Sequence, residues 1–195
     1  MNASVTIPSI VTERLIRSRT ALNVGLVVAA SAIIAIAAQI AIPIPFSPVP
    51  LTLQPVAVLL VGVTLGSRRG AATAALYILE GFVGLPVFAQ AHGGPMWLVA
   101  ATGGYLMAYP AAAFAAGWFS ERGWGTTTVR AVAGMLVALA VVYAGGWSWL
   151  SILAGPRAAF TMGIVPFVIA DIVKISLAAT LLPYAQRIVA RASTR

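Results

Sequence analysis

The sequence predicts an all-α integral membrane protein of six transmembrane helices, and three observations predict it. Of 195 residues, 61% are hydrophobic and only 8% are charged. Apolar stretches recur along the whole chain between short turn-forming segments. Arginines gather mainly in alternate gaps between those stretches. A soluble domain carries about 25% charged residues. With a mean hydropathy of +0.98, this chain has too little polar surface to coat a water-soluble particle. A bilayer removes that requirement. A spanning helix takes roughly 20 apolar residues, so the chain has room for six spans and reads as one transmembrane domain.

The elements follow in order. Residues Met1 to Thr20 are polar and read as a cytoplasmic segment before a first span from Ala21 to Ile42. That span is long enough to cross a bilayer and lacks a convincing small-residue cleavage site after it, so it is expected to stay as the first helix. Pro43, Pro45, Pro48 and Pro50 then exclude continuous helix, since each lacks an amide donor and biases its predecessor away from α. A second span is expected from Leu51 to Leu65, and a basic turn at Gly66–Gly70 leads to a third from Ala71 to Phe82. Gly81, Gly84 and Pro86 break it, and a charge-free loop runs from Ala89 to Pro95. The fourth span is expected from Trp97 to Phe119, and the fifth from Thr128 to Leu153 with an early end possible at Gly145-Gly146. The sixth ends near Leu182, its regular part starting as late as Pro166. The six-helix core is thus 21–185, and 186–195 is a basic cytoplasmic tail.

Charge sets the orientation. With the N-terminus in the cytoplasm, ten arginines lie inside (Arg14, Arg17, Arg19, Arg68, Arg69, Arg122, Arg130, Arg187, Arg191, Arg195) and only Arg157 lies outside. This positive-inside asymmetry puts both termini in the cytoplasm, in a cell (inner) membrane, and an even number of spans follows. The net charge of +8 sits in these loops, so it argues for membrane topology and not for nucleic acid.

Charge within a span is costly, so each case needs a reason. The chain has one lysine, Lys174, and one aspartate, Asp171. Their i, i+3 spacing puts both on one helical face. They read as part of a solute pocket near the outer mouth, or else as a structural ion pair. Glu80 lies near the broken end of the third span and faces either a neighbouring helix or the pocket. Thr52 and Gln54 follow the Pro-rich loop, and Thr102-Gly103-Gly104-Tyr105 opens the fourth span. The first span carries a small-residue ridge, Ala21, Gly25 and Ala29, suited to close helix contact inside the protein or with a partner.

Enzyme readings fare poorly. His92 is the only histidine, cysteine is absent, and no Gly-x-Ser-x-Gly elbow occurs. Metal ligands are too few and too scattered, and no Walker lysine follows a Gly-rich loop. The chain is therefore expected to be no enzyme and to need no metal or cofactor.

Four segments, Pro48-Val49-Pro50-Leu51-Thr52-Leu53-Gln54, Gly84-Leu85-Pro86-Val87-Phe88-Ala89, Thr102-Gly103-Gly104-Tyr105 and Asp171-Ile172-Val173-Lys174, occur in an order and spacing that resembles the BioY family. BioY proteins are the biotin-binding S components of energy-coupling factor (ECF) transporters. The resemblance covers about Ala21 to Leu182. It implies six helices, a vitamin pocket near the outer face, and polar pocket residues at Asp171 and Lys174. It also implies two kinds of partner, a transmembrane coupling protein and cytosolic ATPases. Biotin has a ureido ring with two N–H donors, an apolar thioether ring and an acidic tail. A carboxylate suits the donors and an ammonium suits the tail, while Phe88, Trp97 and Tyr105 offer apolar cover. An S component for another small vitamin, or a structural membrane protein without a solute, would share these broad features.

Overall fold

A computed structural model describes the backbone of residues 7–193 and the side chains of residues 20–180 and 182. Helix α1 runs from Ile7 to Gln39. It starts well before the expected Ala21 because no glycine or proline interrupts the chain between Pro8, which sits in the first turn where proline is tolerated, and Gly25. The Arg14, Arg17 and Arg19 segment is therefore helical.

The Pro-rich stretch folds back on itself. Its ends pair as a two-residue antiparallel ribbon, β1 (Ala41–Ile42) with β2 (Leu51–Thr52), a departure from an all-helical reading. Helix α2 then spans Gln54–Leu65, three residues later than expected, with Pro55 in its first turn. At 1.5 Å per residue its 12 residues reach about 18 Å, well short of the roughly 30 Å hydrocarbon layer. The ribbon and proline loop adjoin the start of α2.

One residue, Gly66 at φ 83°, separates α2 from α3 (Ser67–Phe82). Arg68 and Arg69 belong to the first turn of α3 and not to a loop. The open N-terminus of α3 is satisfied from across the bundle. The Ser67 N–H donates to Glu121 Oε1 at 2.7 Å and the Ser67 hydroxyl donates to the same carboxylate. A carboxylate there also complements the positive end of the helix dipole.

The fourth expected span divides into a short α4 (Met96–Val99) and α5 (Gly103–Glu121). A Cβ at Gly103 would lie 1.7 Å from the Leu98 carbonyl oxygen, so only glycine permits this corner. Helix α6 (Thr128–Ala154) runs straight through Gly145-Gly146. Those glycines are contact points and not breaks: Gly145 faces Ala108 and the Gly104 carbonyl, and Gly146 lies against the Tyr105 ring. Helix α7 (Pro156–Gly163) precedes α8 (Val165–Ser193), which starts within one residue of the expected Pro166.

The core lies between α2, α3, α5 and α6, with Leu59, Ala74, Tyr77, Ala113, Met135 and Val142 buried there. Outside it the surface is apolar, with Ile36, Val129, Ile152 and Ile169 all exposed. Three stretches, Thr20–Gln39, Thr128–Ala154 and Pro156–Thr180, are long and apolar enough to cross a bilayer. The protein is thus a predominantly helical, multi-pass membrane protein. The turns that bear Arg68, Arg69 and Arg122 lie at one end, and the proline loop lies at the other with α7, to which Ser47 is hydrogen-bonded at the Met162 carbonyl.

Candidate ligand-binding site

At the proline end the helices do not close on one another, and they leave a cavity of about 220 Å³. The proline loop and ribbon contribute Pro43, Ile44 and residues 47–52, and α2 contributes Gln54 and Pro55. Phe88, Ala89, Gln90 and Trp97 come from the segment after α3. Thr102, Tyr105 and Tyr109 come from the start of α5, Val142 and Tyr143 from α6, and Phe167 and Asp171 from α8. The lining is mostly apolar and aromatic with a few placed polar groups, the usual character of a small-molecule site.

Asp171 is the only charged residue in that lining, and it is 3% exposed. Its Oδ2 accepts a hydrogen bond from the Tyr143 hydroxyl at 2.6 Å. Its Oδ1 faces Lys174 Nζ at 2.5 Å, an ion pair across one helical turn. Lys174 Nζ also donates to the Thr52 carbonyl oxygen at 2.7 Å. The lysine itself does not line the cavity; it stands behind Asp171 and ties α8 to the ribbon. Thr52 Oγ1 in turn accepts the N–H of Gln54, the first residue of α2, at 3.2 Å. A second chain of bonds runs from Gln54 Nε2 to the Tyr77 hydroxyl at 2.9 Å, and from that hydroxyl to the Val87 carbonyl at 3.0 Å.

Six of the ten residues expected at the site line the cavity: Thr52, Gln54, Phe88, Trp97, Tyr105 and Asp171. Phe88 is almost fully buried, its ring edge-on to Tyr77 and pressed against Gly81, where a Cβ would lie 2.0 Å from the ring. The Tyr105 hydroxyl donates to the Gly163 carbonyl, so Tyr105 shows the cavity its ring and not a free hydroxyl. Trp97 stacks on His92 with ring centroids 4.1 Å apart, which gives that histidine a packing role. Gly103, Gly104 and Glu80, with Lys174, are not in the lining. Gly104 packs on Gly145 and Trp149 of α6. Glu80 accepts a hydrogen bond from Ser31 of α1 at 2.9 Å, the neighbouring-helix alternative for this acid.

Sequence reasoning passed over Tyr143, which lies in an otherwise apolar span; a hydroxyl at that depth was the available signal. It also left out Tyr109, Phe167 and Gln90, whose inward direction only the fold determines. Thr102 was seen only as the start of a glycine motif. Its Oγ1 is buried in the cavity wall without a hydrogen-bond partner. Such a group is costly unless something arrives to meet it.

A family model described as the BioY family matches residues 10–191. The chain belongs to the BioY family. A "Probable biotin transporter BioY" from Pyrococcus horikoshii is 40% identical over 166 residues, covering 85% of this chain and 95% of that protein. The "Biotin transporter BioY" of Thermotoga maritima is 38% identical over 150 residues, 76% of this chain and 86% of that one. A crystal structure titled as the S-component for biotin from an ECF-type ABC transporter matches with a TM-score of 0.79. It covers 87% of this chain and 93% of that one at 23% identity, which establishes the shared fold. The BioY match spans all four motif segments and every helix that contributes to the cavity.

Proposed function

We propose that this chain is the biotin-binding membrane component of an ECF-type vitamin uptake system and takes biotin from the outer side. The observation that carries the reading is a BioY-family chain whose apolar, aromatic cavity contains one buried carboxylate, Asp171. The ureido ring of biotin presents two N–H donors, and Asp171 is an acceptor held in place by Tyr143 and Lys174. The open Thr102 hydroxyl offers a donor to a ligand oxygen. Phe88, Trp97 and Tyr105 cover the bicyclic ring. Biotin is cargo here; the chain acts as a binder, not an enzyme, and holds no cofactor.

Six helices, α1, α2, α3, α5, α6 and α8, make up the transmembrane unit, and the charge distribution supports placing both termini in the cytoplasm of a cell-membrane protein. A reporter fused after Arg195 should then be active only on the cytoplasmic side. Activity confined to the external compartment would reverse the orientation.

The partners in this reading are a transmembrane coupling protein and cytosolic ATPases. The α1 ridge Ala21, Gly25 and Ala29 is exposed, and a Cβ at Gly25 meets nothing within 4 Å, so the ridge is free of internal packing. Gly25→Leu should reduce co-purification of the coupling protein while leaving biotin affinity unchanged. Normal assembly of that variant would remove the ridge from the interface.

Lys174 is tied to Asp171 and to the Thr52 carbonyl. That geometry supports a counter-ion role over the direct contact with the acidic tail expected from the sequence. Titration of purified protein with biotin and with its uncharged tail amide separates the two roles. Wild type should bind biotin, and failure to bind would sink the reading as a whole. A bond to a charged group is worth about 1.5–3 kcal/mol, so Lys174→Ala should weaken both ligands by roughly ten- to a hundredfold. A loss confined to biotin would put the ammonium at the tail after all.

A further inference from the structure

The segment that carries Phe88 and Gln90 into the cavity wall has an unusual backbone. Gln90 lies at φ 60°, ψ 34° and Ala91 at φ 57°. They are the only non-glycine residues with positive φ among the described residues. Left-handed backbone is unfavourable for residues with a Cβ, and two in succession more so. Such a conformation persists only where its surroundings impose it.

The Tyr77 hydroxyl on the Val87 carbonyl and the Phe88 N–H on the His92 carbonyl hold the two ends of the segment, and one further side chain spans it. Gln39, the last residue of α1, donates from Nε2 to the Phe88 carbonyl at 3.1 Å and lies 3.4 Å from the Val87 carbonyl. Its Oε1 accepts the Ala91 N–H at 2.8 Å. The same Nε2 donates to the Ala35 carbonyl at 3.0 Å, which holds the amide against its own helix. Three carbonyls on one side and an N–H on the other fix which amide atom points where. Gln39 is not in the cavity lining, so its effect on a ligand is indirect.

We infer that Gln39 is a positioning residue for the binding cavity: its amide bridges residues 87–91 and holds Gln90 and Ala91 in the left-handed backbone that sets Phe88 and Gln90 in the wall. This rests on the biotin-binding reading above. Occupancy of the cavity then bears on the end of α1, the helix that also carries the exposed small-residue ridge.

The test compares wild type, Gln39→Ala, Ala91→Gly and the double variant, each purified intact. Biotin affinity and dissociation rate are measured, together with hydrogen exchange of the Ala91 amide without ligand. Gln39→Ala should weaken biotin about tenfold, mainly through faster dissociation, because the wall loses the bonds that hold it. The Ala91 amide should exchange faster in that variant. Glycine adopts left-handed backbone readily, so adding Ala91→Gly should bring affinity back to within about threefold of wild type. A merely structural amide would not be rescued by a glycine elsewhere. Unchanged affinity and exchange in Gln39→Ala would overturn the inference, as would a loss that Ala91→Gly fails to restore. If wild type itself does not bind biotin, the functional reading falls, and exchange at Ala91 alone then decides whether Gln39 holds the segment.

Discussion

A carboxylate buried in a membrane-embedded bundle must be compensated, and the architecture of the proline end follows from how Asp171 is. Charge at that depth costs several kcal/mol unless paired and hydrogen-bonded. The partners come from three directions: Tyr143 on α6, Lys174 on the next turn of α8, and, through Lys174, the Thr52 carbonyl in the ribbon. Loss of any of them leaves the others exposed to the same cost. The network therefore holds α8, α6 and the start of α2 in a fixed relation around a cavity that apolar packing would otherwise tend to close. A buried ion pair could often be replaced by apolar residues at little cost to stability. Its presence in a cavity wall is better explained by what it offers a ligand.

Prolines and glycines supply the shape. The proline loop keeps α2 to 12 residues and lines the cavity beyond its start. At the other end, α2 and α5 meet closely, with a Cβ at Gly62 lying 2.3 Å from the Ala113 carbonyl oxygen. Gly104, Gly145 and Gly146 likewise bring α5 against α6. The bundle is thus tight at the arginine end and along the α5–α6 seam, and open where the loops enter. A cavity with an apolar rim and one anchored charge results without any residue specialised for covalent chemistry.

Much of this was legible in the sequence, because membrane helices are encoded by composition and the four motif segments are local. Gly66, read as the start of a turn, marks a real helix boundary. Glycine was ambiguous where its meaning is tertiary. Gly145-Gly146 looks like a break along the chain and is a contact across it. Lys174 and Asp171 were correctly placed on one face, but spacing could not say that only Asp171 reaches the cavity, since that depends on where the Thr52 carbonyl lies 122 residues away in sequence. Tyr143, Thr102 and Gln39 were not recognised for the same reason. Their partners or their solitude exist only once distant helices have packed.

The central claim is that Asp171 meets the ligand and that Tyr143 acts through it. Biotin affinity measured across Tyr143→Phe, Asp171→Asn and the double variant tests this most directly. Asp171→Asn should weaken binding by about ten- to a hundredfold, Tyr143→Phe by less, and the double variant no more than Asp171→Asn alone. Wild-type affinity in Asp171→Asn, or losses that simply add in the double variant, would contradict the account.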